Sequence, residues 1–180
     1  MIRLKHILNE LSEPETERLV NKINQKEFQF FDKGDNGRVY SINDEDKLFK
    51  ITTETEEYKV ADIIVGRSDM YTTFIPVHYV NGTNMYIMSR AEPISTNQVN
   101  EIENFLNGFK KYALEQGGEV SIFEYLNADG ARENDEQLVN FLRALQQDIQ
   151  KIGLPDLDLD LDFKSDNVMK WNGNLVMIDW

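Results

Sequence analysis

Several stretches of this 180-residue chain combine side chains suited to phosphate or to a hard metal ion. Gly34-Asp35-Asn36-Gly37-Arg38-Val39 is a glycine-containing turn between apolar runs. Without a Cβ in the way, backbone N–H groups in such a turn can approach phosphate oxygens closely, although the same residues also make a plain hairpin. Lys50 sits inside the apolar run Leu48-Phe49-Lys50-Ile51, where a lysine either snorkels from a strand edge or meets a carboxylate. Glu57 precedes Val60 and Ala61 by three and four residues, so on a helix it shares their inward face. Glu54 and Glu56 are rivals for the same lysine. Further on come Asp162-Phe163-Lys164-Ser165-Asp166-Asn167 and then Ile178-Asp179, with Asp179 twelve residues after Asn167 across a tight hairpin. Asp and Asn oxygens are hard ligands suited to Mg²⁺, which takes few protein ligands and adds phosphate oxygens. The alternating run Asp156 to Asp162 also reads as an edge strand with its acids in water. That account suits Asp156 and Asp158, whereas Asp162 belongs with the residues after it.

The elements that must hold these groups follow from periodicity. Leu4, Ile7, Leu8 and Leu11 share a helical face, and Ser12-Glu13-Pro14-Glu15 is a fresh helix start with a buried stripe of Leu19, Val20 and Ile23. From Phe28 the period changes. Glu27 to Phe31, Arg38 to Ile42 and Lys47 to Ile51 read as three strands joined by short polar turns, an antiparallel meander. Glu54 to Val65 reads as a helix. Phe74 to Val80 and Met85 to Ser89 are two more strands around Asn81-Gly82. The remainder is mainly helical, with Thr96 to Gln116 ended by Gly117-Gly118 and Asn134 to Ile152 ended by Gly153. A polar loop and a short strand pair around Asn172-Gly173 close the chain. The expectation is an α+β protein of three parts: a helical extension over 1–26, a sheet with one helix over 27–92, and a helical part with the acidic loops over 93–180.

Composition narrows the chemistry. With 32 acidic and 19 basic residues the net charge is −13 and the pI about 4.6, which disfavours nonspecific contact with nucleic acid or anionic lipid. No apolar run is long enough for a membrane span, and the N-terminus lacks the apolar core of a signal peptide, so a cytoplasmic location is expected. The absence of cysteine excludes disulfides, thiolate zinc sites and cysteine nucleophiles. His6 and His78 stand far apart, which argues against a multi-histidine metal site or a Ser-His-Asp triad; His78 reads as structural.

The order of glycine loop, strand lysine, helix glutamate, D-x-K-x-x-N and a hydrophobic strand ending in Asp resembles the protein-kinase superfamily from Phe28 to Trp180. The helical stretch Thr96 to Ile152 matches in class only. The resemblance implies a two-lobed fold, with a five-stranded antiparallel sheet plus one helix in the small lobe and a reduced helical large lobe. It makes Gly34, Gly37 and Val39 the latter part of the nucleotide-covering loop, with Asp32 where a first glycine would stand. Lys50 becomes the phosphate-binding lysine and Glu57 its helix partner. Met88 and Ser89 lie on the strand leading to the adenine-binding hinge. Asp162 takes the role of catalytic base, Lys164 reaches the γ-phosphate, and Asn167 and Asp179 bind metal. ATP and Mg²⁺ are the implied ligands. Lys164 inclines the resemblance toward serine/threonine protein kinases over the aminoglycoside and choline kinase branch, and the compact Asp162 to Asp179 loop is similar to phage-encoded protein kinases.

The departures are as specific. Asp160-Leu161 replaces the His-Arg before the base, and Trp180 replaces the Phe after the metal-binding aspartate. An activation segment is expected to be missing. The expectation is an ATP- and Mg-dependent phosphotransferase, most closely a minimal serine/threonine kinase. Its rival is a pseudokinase that binds nucleotide or engages a basic protein partner. An acidic mimic of nucleic acid is a third reading that rests on charge alone. The helices over Ile2 to Gln25 are expected to pack on the small lobe, with buttressing or dimer formation as the alternative.

Overall fold

The computed structural model describes residues 13–34, 37–82, 84–118, 120–130, 135–153 and 163–179. The expected helix over Ile2 to Leu11, Ser12, the turn residues Asp35 and Asn36, the acidic run through Asp162, and Trp180 lie outside them. The chain divides into two compact units, Met1–Ala91 with Trp180, and Glu92–Asp179.

The first unit holds α1 (Glu13–Asn24), β1 (Phe28–Gly34), β2 (Gly37–Ile42), β3 (Lys47–Thr52), α2 (Thr55–Ile64), β4 (Val77–Val80) and β5 (Met85–Ser89). All neighbouring strands pair antiparallel in the order β1-β2-β3-β5-β4. This is the five-stranded antiparallel sheet, with one helix inserted after its third strand, that the changes of period predict. One expected strand is shorter than its apolar run suggests. Pro76 has no N–H for a ladder, so β4 begins at Val77 and not at Phe74, while the Pro76 carbonyl still accepts from the Ser89 N–H at 2.9 Å.

Side chains alternate across a strand, so register decides which residues meet. Val39, Lys50 and Tyr86 are directly paired neighbours on one face. Tyr40, Phe49 and Ile87 form the adjacent row on the other face. There α1 seats Leu19 against Ile42, Phe49 and Ile87, with Val20, Ile23, Phe28 and Tyr40 packed around them. The rings of Tyr40 and Phe49 stack at 4.8 Å. Arg18 and Lys22 of α1 grip Glu45 in the β2–β3 turn, Lys22 at 2.7 Å, and Lys22 also donates to the Asn43 carbonyl at 2.8 Å. Burial pushes the Glu45 carboxyl up, but these hydrogen bonds outweigh it and hold the group below the usual carboxylate range. A fully buried leucine contributes about 1.5–3 kcal/mol, against about 1 kcal/mol or less for an exposed ion pair. The apolar stripe therefore holds α1 on the sheet, and the charges set where along the sheet it lies.

The second unit holds β6 (Glu92–Pro93), α3 (Thr96–Glu115), α4 (Ile122–Tyr125), α5 (Glu136–Ile152), β7 (Val168–Trp171) and β8 (Asn174–Met177). Ser95 and Gln98 form a reciprocal capping box at the start of α3, and Asp135 caps α5. Gly153, at φ 63°, ends α5 in the left-handed conformation that glycine adopts at little cost. Ile102 and Phe105 of α3 and Leu138, Phe141, Leu142 and Leu145 of α5 are buried, as their spacing predicts. Asn172 and Gly173, both at positive φ, make the turn between β7 and β8. Two features escaped the sequence. β6 is only two residues long and pairs with β7, too short to show a period. The α4 turn runs into a π-helical segment, Leu126–Gly130.

Candidate functional site

The polar centre of the first unit is built on β3. Alternation places Lys50 on the same face as Leu48 and Thr52, where α2 covers the sheet. Lys50 is 4% exposed and its ammonium lies 2.5 Å from Glu57 Oε1. Of the three candidate glutamates the structure selects this one: Glu57 lies on the buried side of α2 with Val60, Ala61 and Ile64, whereas Glu56 pairs with Lys59 in solvent. Glu57 is itself 1% exposed. Its carboxylate also accepts from the Thr52 hydroxyl and the Tyr86 hydroxyl, each at 2.5 Å. Two opposite charges and two hydroxyls thus satisfy one another out of water, which is the condition for a buried ion pair to be tolerated. Among the three candidates, sequence spacing favours Glu57. Thr52 and Tyr86 were not anticipated. The available signal was a tyrosine within the apolar strand Met85–Ser89, since a buried hydroxyl needs a partner.

The glycine turn lies beside this centre. Gly34 pairs with Gly37, Gly37 with Thr52, and Val39 with Lys50. A Cβ at Gly37 would come within 2.5 Å of the Ile51 carbonyl oxygen and 3.2 Å of Lys50 Cε. Glycine at this position therefore lets β2 close directly over the lysine stem. The structure brings Gly37, Val39, Lys50 and Glu57 together, with Gly34 next to them on the edge strand.

Met88 and Ser89 are both buried near the end of β5. Met88 pairs with Leu48 on the Lys50 side. The Ser89 hydroxyl is engaged differently, 2.8 Å from His78 Nε2. Burial pulls the His78 pKa down to about 4; Lys47 adds to the shift and Glu15 of α1 opposes it. His78 is thus a neutral packing residue, in keeping with its structural role.

In the second unit, Asp162 lies outside the described residues. Its neighbour Phe163 is 5% exposed and packs against Phe105 of α3 at 6.3 Å and Phe141 of α5 at 6.5 Å, so the described part of the loop starts from a ring fixed in the core. Lys164 is exposed and precedes the 3₁₀ turn Ser165–Asn167. The Ser165 hydroxyl donates to Glu103 of α3 at 2.8 Å, and the Asn167 N–H donates to the Lys164 carbonyl at 3.0 Å. Asn167 leads into β7 and Asp179 follows β8. The Ile178 N–H donates to the Asn167 carbonyl at 3.0 Å, which brings the two metal-ligand candidates to the same end of one hairpin. Their side chains carry oxygen donors of the kind Mg²⁺ prefers, and in the small number it usually takes from protein.

No protein-family model matches the chain, and no curated protein matches it. Among solved structures the chain is similar to the streptomycin–ATP–APH(2'')-IIa ternary complex, at 14% identity over 96% of this chain and 71% of the other, with a TM-score of 0.37. No helix of the described residues is long and apolar enough to cross a membrane.

Proposed function

We propose that the chain is an ATP- and Mg-dependent phosphotransferase acting on an alcohol acceptor, in its specific form a minimal serine/threonine protein kinase. The observation that carries this is the Lys50–Glu57 pair, buried on an antiparallel sheet directly beneath Gly37. A lysine paired in this way is held in a fixed place, which is what binding of nucleotide phosphates requires. The backbone around Gly34 and Gly37 would cover the phosphates, and Val39 and Met88 would offer apolar surface to the base. Asn167 and Asp179 would hold Mg²⁺, which when bound offsets the phosphate charge. Asp162 would orient the acceptor hydroxyl and take its proton as that oxygen bonds to the γ-phosphorus and the bond to the β–γ bridging oxygen breaks. Lys164 would neutralise charge on the transferred group.

With a net charge of −13, the protein should bind ATP weakly in chelator and far more tightly with Mg²⁺. The test is titration of a fluorescent ATP analogue with and without Mg²⁺, together with mass spectrometry of the protein and of a cell extract after Mg-ATP incubation. Wild type should add phosphate and Asp162→Asn should not. ATP binding indifferent to chelation would sink the proposal. The replacement of His-Arg by Asp160-Leu161 favours a second reading, a nucleotide-binding pseudokinase that engages a basic partner. It predicts equal ATP binding by wild type and Asp162→Asn, with no phosphate transfer by either.

A further inference from the structure

We propose that Tyr86 and Thr52 are positioning residues that lock Glu57 onto Lys50, so that the lysine is set for phosphate before nucleotide or any activating partner arrives. The phosphate clause rests on the proposed function above; the lock itself rests on geometry. Tyr86 is fully buried on β5, directly beside Lys50 in the sheet, and its hydroxyl donates to the same Glu57 oxygen that meets the lysine. Thr52 is also fully buried and donates to the other oxygen.

Thr52 has a second task. Glu54, at the N-cap of α2, makes no side-chain capping hydrogen bond. Its N–H donates instead to Thr52 Oγ1 at 3.0 Å. One hydroxyl therefore ties the start of α2 to the end of β3 and also fixes the glutamate one turn further along. For α2 to swing its glutamate away, the carboxylate would have to leave two hydroxyls and a buried ammonium at once, each then lacking that bond in a dry site. A helix held in this way is a fixed part and not a switch.

Among the described residues, the titratable groups bonded to Glu57 include Lys50 from β3 and Tyr86 from β5. β4 turns His78 toward Ser89, and on α2 itself Glu56 pairs with Lys59 in solvent.

The experiment follows the Glu57 carboxylate by ¹³C NMR through an acid titration of the full chain, in wild type, Tyr86→Phe, Thr52→Val and Thr52→Ser. Loss of a hydroxyl donor disfavours the charged form. Tyr86→Phe and Thr52→Val should each raise the acid midpoint by about one pH unit, whereas Thr52→Ser, which keeps the hydroxyl, should stay near wild type. A role in packing alone would lower the melting temperature without moving the midpoint or separating serine from valine, and midpoints unmoved in both Tyr86→Phe and Thr52→Val overturn the lock. In parallel, the acid limb of binding by the fluorescent ATP analogue should move with the midpoint. If the midpoint moves but wild type binds no analogue at any pH or Mg²⁺ concentration, the lock stands and the nucleotide assignment falls.

Discussion

In the sheet unit the charged candidates lie inside the core. Lys50 and Glu57 are 4% and 1% exposed, and the residues that orient them are buried with them. In the helical unit the arrangement is reversed: Lys164 is exposed, Asn167 and Asp179 are half-buried at a hairpin end, and the buried residue next to Lys164 is the Phe163 ring. The first unit therefore makes its polar centre part of its own stability. The second rests its loop on an apolar anchor and leaves the polar groups nearer water. Substitutions should report this difference, with stability and binding changing together in one unit and separately in the other.

The largest effect is expected from Glu57→Ala, which takes the carboxylate away from a buried ammonium and two buried hydroxyls. Breaking one side of a buried pair costs about 3–5 kcal/mol, visible as a lower urea midpoint. Replacing both partners, as Lys50→Met with Glu57→Gln, should recover more than half of that stability without restoring nucleotide binding. A double variant no more stable than Glu57→Ala would show that the buried charge is not the cause.

Next is His78. The folded state keeps it neutral down to about pH 4, because burial disfavours the cation and Lys47 adds to this, while the unfolded chain takes up the proton near 6.5. Its contribution to stability is therefore complete above pH 6.5 and is lost as pH falls toward 4, a decline on the order of 3 kcal/mol. Urea unfolding at several pH values should show this slope in wild type and a flatter one in His78→Gln. Equal slopes would remove His78 as the source.

The smallest stability effect is expected at Asp179. Asp179→Asn should lower the urea midpoint less than Glu57→Ala does, because Asp179 is half-buried at a hairpin end while Glu57 is in the core. The same variant should abolish the Mg²⁺ dependence of ATP-analogue binding. A loss of stability as large as that of Glu57→Ala would erase the distinction between the two units.

Much of both units could be read from the chain because the relevant signals are local. Met85 to Ser89 is apolar, Asn172-Gly173 is a tight-turn pair, and Leu19, Val20 and Ile23 follow helical spacing. The capping pairs Ser95–Gln98 and Ser121–Glu124 are equally local, and the second marks the start of α4, which was not anticipated. The candidate site was legible only in part. Helical spacing put Glu57 on the face of Val60 and Ala61 but left Glu54 and Glu56 as rivals for Lys50.

Choosing Glu57 required the placement of α2 on the sheet, and completing its bonds required Tyr86, 29 positions away, to arrive beside Lys50 through strand register. Alternation, turn residues and caps act over a few neighbouring residues, so chain order alone determined the strands, the hairpins and the inserted helix. Which hydroxyl meets which carboxylate depends on register between distant strands and on burial, and only the tertiary structure decides that.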